Sequence, residues 1–212
     1  MKDHELIDQL KSGLAPVQTA TPLAPVFAIW LTLSVAYVVV LSLLLGPYRP
    51  GFVDQLLAAP RFSVEMLLGA GAVVCFALVA LAESIPGVDV RWLRRAGWLL
   101  GTGWVSQFVV GFGLPTLEPS MFGKRAHCAL EAYLYSVPPL LAIIWLQRQR
   151  FALQPVRAVI HGAIAAGALP ALMMQIACMY EPAHILQYHL LPVAILTALA
   201  GALAWLLIRR GR

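Results

Sequence analysis

The 212-residue chain is 60% hydrophobic and only 12% charged, with a mean hydropathy of +0.80, whereas about a quarter of the residues in a soluble domain are charged. Its net charge of +5 comes from short basic groups set between apolar runs, not from one basic patch interleaved with aromatics, which argues against direct nucleic-acid binding. Both features point to a chain built for a bilayer.

The first 24 residues, MKDHELIDQLKSGLAPVQTATPLA, carry acids and no short apolar core before a small-residue cleavage site, so they read as a retained tail and not as a secretory signal. Leu6, Ile7, Leu10 and Leu14 recur there at helical spacing among Asp3, Glu5, Asp8 and Lys11, which makes one apolar stripe. Pro16, Pro22 and Pro25 then stop the helix and favour an extended connector. So short a helix is marginal alone. Three fates are open: a groove on a cytosolic partner, docking on lipid or on the chain's own helices, or disorder. Its acidic face suits a partner better than a lipid surface. Residues 1–24 form a module distinct from residues 25–212.

Charge-poor windows follow at 25–45, 64–81, 97–114, 132–146, 158–179 and 185–208, most of them close to the roughly 20 apolar residues that cross a bilayer. They predict an all-α polytopic membrane protein, a six-helix transmembrane bundle preceded by a short cytoplasmic amphipathic segment. The fourth window is shortest and holds Pro138 and Pro139. It spans fully if it begins near Cys128 and is otherwise re-entrant. Gly97 and Gly101 in the third window, and Gly162 and Gly167 in the fifth, predict close helix packing. Pro170 and Pro192 predict kinks or local irregularity.

With six crossings both termini share a side, and basic residues mark the cytoplasmic one. Lys2, Lys11, Arg91, Arg94, Arg95, Arg148, Arg150, Arg157, Arg209, Arg210 and Arg212 fall on the side of the termini, against Arg49, Arg61, Lys124 and Arg125 on the other. The termini are therefore expected in the cytoplasm. Glu65, Glu83 and Glu131 lie near span ends and His161 about one turn inside the fifth window, leaving few groups for the ion relays that transporters need.

Cys75 sits mid-window among apolar residues, whereas Cys128 opens the fourth helix and Cys178 closes the fifth, so topology returns both to the same outer level. In an oxidising compartment they can pair if their Cα atoms come within about 7 Å. Alternatively, His127, Cys128 and Glu131 face Cys178, Glu181, His184 and His189 across a metal site suited to zinc, copper or cadmium. A third reading has unrelated thiols and solvated imidazoles. No CxxC or HxxxH occurs, and on a regular helix His184 and His189 point about 140° apart. At most one of them is expected to reach the thiols without irregular backbone.

The order of ELIDQLKSGLAPV, a proline-bearing linker, six windows, CALEAYLYSVPPLL, LQPVRAVIHGAIAAGALPALMMQIAC, Glu181 and the pair Tyr188 and His189 resembles the NrsF family of membrane anti-sigma factors. These hold an extracytoplasmic-function (ECF) sigma factor inactive at the bacterial inner membrane. The resemblance implies that the cytoplasmic tail grips the sigma factor and that Cys128 and Cys178 sense heavy-metal or oxidative stress, any metal ion being transient and not a constitutive cofactor. Leu6, Ile7, Leu10 and Leu14 are the candidate grip. Cys75, His127 and His184 have no counterpart in the family pattern. Two other classes compete: a membrane thiol oxidoreductase, which usually carries CxxC, and a small metal transporter.

Overall fold

Proline punctuates this fold. Pro60, Pro155 and Pro182 each occupy the first turn of a helix, where a missing N–H costs nothing because that group has no helical partner. The computed structural model describes residues 7–8, 11–12, 21–114, 124–150 and 152–210. Between residues 21 and 210 the described residues form seven helices and no strand: α1 (Leu23–Leu45), α2 (Phe52–Ala58), α3 (Pro60–Ala82), α4 (Arg91–Gly111), α5 (Cys128–Arg148), α6 (Pro155–Ala177) and α7 (Pro182–Arg210). Of the expected tail stripe, Leu6, Leu10 and Leu14 lie outside the described residues, and Ile7 is helical and exposed.

Five helices, α1, α3, α5, α6 and α7, are long and apolar enough to cross a membrane. Six were expected, and α4, the third window, is the one that falls short of that measure. The 21 residues of α4 supply the length, but Arg91, Arg94 and Arg95 open it, and glycines with Thr102, Ser106 and Gln107 dilute the rest. It packs along α3, where Gly97 and Gly101 admit the Phe76 ring: a Cβ on either would stand 3.4 or 3.3 Å from it.

The fourth window is a full helix. α5 runs from Cys128 through Pro138 and Pro139 to Arg148. Pro138 has no N–H for the Leu134 carbonyl four residues earlier, and the Tyr37 hydroxyl donates to that carbonyl at 3.0 Å instead. Trp30 Nε1 donates to the Pro139 carbonyl at 3.0 Å. These bonds moor α1, which otherwise buries only Trp30, Ser34, Val38 and Ser42.

α6 is the axis of the bundle. Of its most apolar stretch 72% is buried, against 22% for α1, and it packs on α3, α5 and α7. Apolar side chains gain little by leaving lipid for one another, so close backbone approach and dispersion must hold such helices together. Alanines and glycines permit it: a Cβ on Gly167 would stand 2.8 Å from Val193 on α7, and one on Gly162 3.1 Å from Ile143 on α5.

The loops α1–α3, α4–α5 and α6–α7 share one end of the bundle, which holds Cys128 and Cys178. At the opposite end Glu83 gathers His161 Nδ1 at 2.7 Å, Arg157 at 2.9 Å and Arg94 at 3.1 Å. Burial pushes the Glu83 carboxyl up, but the His161 hydrogen bond and charge, with Arg157 and Arg94, outweigh it and leave the group below the ordinary carboxylate range. Gln147 Nε2 adds bonds to the Ala80 and Ala158 carbonyls at 3.1 and 2.9 Å, tying α5 to α3 and α6.

Glycine contacts provide a direct test of this packing. A Cβ on Gly69 would lie 2.6 Å from Leu172 and 2.9 Å from the Trp104 ring, whereas one on Gly103 would meet Leu68 at an ordinary 3.7 Å. Gly69→Val is expected to destabilise the protein by about 1–3 kcal/mol, and Gly103→Val by clearly less, measured as melting midpoints in detergent.

Candidate metal centre

The final carbonyls of α6 have no helical donors, and two arginines supply them. Arg49 gives its backbone N–H to the Ile176 carbonyl at 3.3 Å and its Nη2 to that of Gln175 at 3.5 Å, while Arg125 Nε donates to Ala177 at 3.2 Å. Cations there also suit the negative end of the helix dipole. The chain then leaves the helix at Cys178 in extended geometry. Arg49 is 1% exposed, hydrogen-bonded to Gln55, with the Phe62 and Tyr180 rings 5.7 and 5.9 Å away; such faces attract a desolvated guanidinium.

Arg125 reaches further. Its Nη2 lies 3.1, 2.7 and 2.9 Å from the carbonyls of Ser42, Gly46 and Pro47 at the end of α1, and its Nη1 pairs with Glu131 on α5 at 2.8 Å. Tyr135 completes the carboxylate with a hydroxyl bond of 3.0 Å. Cys128 Sγ in turn lies 3.4 Å from the Arg125 carbonyl.

The other half of the site comes from α7. Glu181 caps it, accepting from the N–H groups of Ala183 at 3.0 Å and His184 at 2.6 Å. From Ile185 to Leu190 the helix widens into a π-turn. Pro192 follows, lacking an N–H and crowding the Tyr188 carbonyl in an α register, and the wide turn relieves that crowding. Because a π-turn bonds residues five apart, His184 and His189 share a face, with ring centroids 5.1 Å apart and planes perpendicular. The expectation that at most one histidine reaches the thiols held only for regular backbone.

Four ligand atoms of Cys128, Cys178, His184 and His189 thus fall within 4.8 Å of one another, and all four residues are buried. The sulfurs are 2.9 Å apart and belong to free thiols; Cys178 Sγ is 3.3 Å from His184 Nε2. Hydrogen bonding from Cys128 and His184 holds the Cys178 thiol below its ordinary value against the opposing effect of burial. Both ring nitrogens of His189 are buried without a hydrogen bond of normal geometry, an arrangement that an ion would complete. The pair of thiols can also be joined by oxidation.

The other proposed ligands are placed elsewhere. His127 is exposed at the start of α5, and Glu181 spends its oxygens on the cap. Glu131 is held by Arg125. Cys75, never in that ligand set, lies within α3, away from the cluster. The sequence counted Arg49 and Arg125 only as loop charges; no local spacing marks the first as buried or the second as half-buried. The nearest sequence signal for the convergence of the histidines was Pro192, read only as an irregularity.

Fold and cluster together define a helical membrane protein with a buried thiol–imidazole centre at one end of its bundle. The chain belongs to the NrsF family, described as negative regulator of sigma F, which it matches over residues 10–209. It is also 32% identical, over 142 residues, to the carotenogenesis protein CarR of Myxococcus xanthus, an alignment covering 67% of this chain and 59% of CarR. The chain therefore spans less than two thirds of that relative. No solved structure matches it.

Removing the Arg125 side chain strips the capping of α1 and α6 and leaves the Glu131 carboxylate buried without its cation. Arg125→Ala is expected to cost about 3–5 kcal/mol. Adding Glu131→Leu should recover part of that loss, and melting of the single and double variants in detergent checks both.

Proposed function

We infer that the chain is a membrane-bound anti-sigma factor that sequesters an ECF sigma factor through residues 1–24 and releases it when Cys128 and Cys178 meet heavy-metal or oxidative stress. The observation that carries this reading is the convergence of two thiols from α5 and α6, in a member of a family of negative regulators of sigma F. The chain regulates by binding and carries out no catalysis of its own.

In this reading the protein crosses a bacterial inner membrane six times, with α4 as the sixth span. Leu99, Val109 and Val110 give α4 an exposed apolar surface, continued by Phe112 just past its end, and its arginines stand at the end where the positive-inside rule places the cytoplasm. Both termini are then cytoplasmic and the thiols face the periplasm.

A signal at the thiols has a physical route to the tail. It alters the junction of α5 and α6, which Arg125 fastens to the end of α1, and α1 leads back across the membrane to residues 1–24. At that far end Arg150 Nη2 holds the Thr21 carbonyl at 3.2 Å, at the joint between helix and connector. The signal must favour the sigma-released state over the bound one, since a stimulus without differential affinity moves no equilibrium. A coupling of about 2–3 kcal/mol changes sigma affinity about 30- to 150-fold.

Residues 1–24 fused to a soluble carrier should retain a sigma factor from cytosolic extract, and Leu6→Ala, Ile7→Ala and Leu10→Ala together should abolish retention. Capture of no sigma factor by either the fusion or the full-length chain rejects the reading. Cys128→Ser with Cys178→Ser should still bind the sigma factor but lose the induced release, followed with a sigma-dependent reporter. An unchanged response to metal and oxidant removes the sensing role from the two thiols.

A further inference from the structure

We propose that Cys128, Cys178, His184 and His189 form one four-ligand site for a borderline or soft divalent cation of the zinc and cadmium class. This deepens the sensing reading by adding both imidazoles to the thiols and by naming the class of signal.

Geometry is the first support. Around zinc, sulfur and nitrogen ligands stand about 2.0–2.3 Å from the metal and hence about 3.3–3.8 Å from one another in a tetrahedron. The four atoms already lie within 4.8 Å, so small side-chain adjustments close the set. His189 is the second support. Its ring is fully buried and neither nitrogen has a hydrogen bond of normal geometry, the approach of the Cys178 thiol apart, although a buried polar group so poorly partnered is costly. A metal bond to one nitrogen removes half of that deficit.

Charge selects the ion. Two thiolates and two neutral imidazoles around a divalent cation sum to zero, so the filled centre bears no net charge in a buried setting where an isolated charge is prohibitive. A monovalent ion in the same set would leave a buried negative charge. Calcium and magnesium demand six or more oxygen ligands, and the nearest carboxylates, Glu131 and Glu181, are engaged by Arg125 and by the α7 cap. Thiolate with imidazole instead suits zinc and its heavier congener.

The π-turn is the device that makes the set. A regular helix from Pro182 onward would turn one imidazole away and leave three ligands. The wide turn supplies the fourth from the same helix, so a single ion joins the start of α5, the end of α6 and the first turns of α7.

Cobalt(II) serves as a spectroscopic probe on the reduced full-length protein in detergent. One equivalent should give the intense visible bands of tetrahedral cobalt together with a thiolate-to-cobalt charge-transfer band, and zinc should displace both. His184→Ala and His189→Ala should each weaken cobalt binding by about 100-fold or more while keeping thiolate charge transfer, and Cys75→Ser should change nothing. If His189→Ala fails to fold, judged by helical circular dichroism, His189→Gln fills similar volume without an imidazole and reads the same loss. Weak octahedral bands, no charge-transfer band, or undiminished affinity in both histidine variants would overturn the proposal. None of these outcomes touches sigma capture by the tail, so failure of this centre and failure of the anti-sigma reading are separable.

Discussion

The Arg125 guanidinium satisfies carbonyls at the ends of two helices and neutralises a carboxylate on a third. The last carbonyls of a helix have no helical donors, and α1 and α6 find part of theirs in the same side chain. Everything at the cysteine end inherits this constraint. Cys178 leaves α6 where its last carbonyls are fixed, Cys128 begins α5 three residues beyond the arginine, and Glu131 is held one turn further on. The spacing of the two sulfurs is thus set by how two helices are finished, not by contacts between the thiols.

Among the described residues the buried carboxylates Glu65, Glu83 and Glu131 stand near the two ends of the bundle, and there they act as fasteners. Glu65 is fully buried yet is met by Arg61 at 3.1 Å and by the Tyr180 hydroxyl at 2.6 Å; Glu83 has its two arginines and His161, and Glu131 its arginine and tyrosine. Buried pairs of this kind are weak evidence for stability, because desolvation offsets their attraction. Breaking one is costly, however, so they penalise alternative helix registers in a bundle where small residues would tolerate sliding.

Much of this architecture was legible in the sequence, and the rest was hidden for definable reasons. Long apolar runs marked five spanning helices because bilayer thickness imposes a length. The third window, now α4, does not reach the same apolarity, because three arginines and several glycines count against it even though the helix has the length. Cys128 and Cys178 could be placed at one level by counting crossings, since topology needs no contact information. The convergence of His184 and His189 could not be read, because a π-turn replaces the angular rule on which helical spacing depends. Arg49 and Arg125 were equally opaque: a loop arginine that caps helix ends looks, in one dimension, like any other basic residue. The tail remains legible only as a stripe, with Ile7 alone of its four apolar residues in the described structure.

The contact stripe of α1 sets how that helix can move. Trp30, Ser34, Val38 and Ser42 recur every fourth residue, and four residues advance a helix about 6 Å along its axis while overshooting a full turn by about 40°. The stripe therefore winds as a shallow thread, large, small, medium and small in succession. Sliding by one repeat would bring a serine to the place of the Trp30 indole and forfeit its bond to Pro139. Displacement of α1 along its axis is therefore opposed by its own side chains, and following the stripe would couple it to a rotation of about 40° for each repeat.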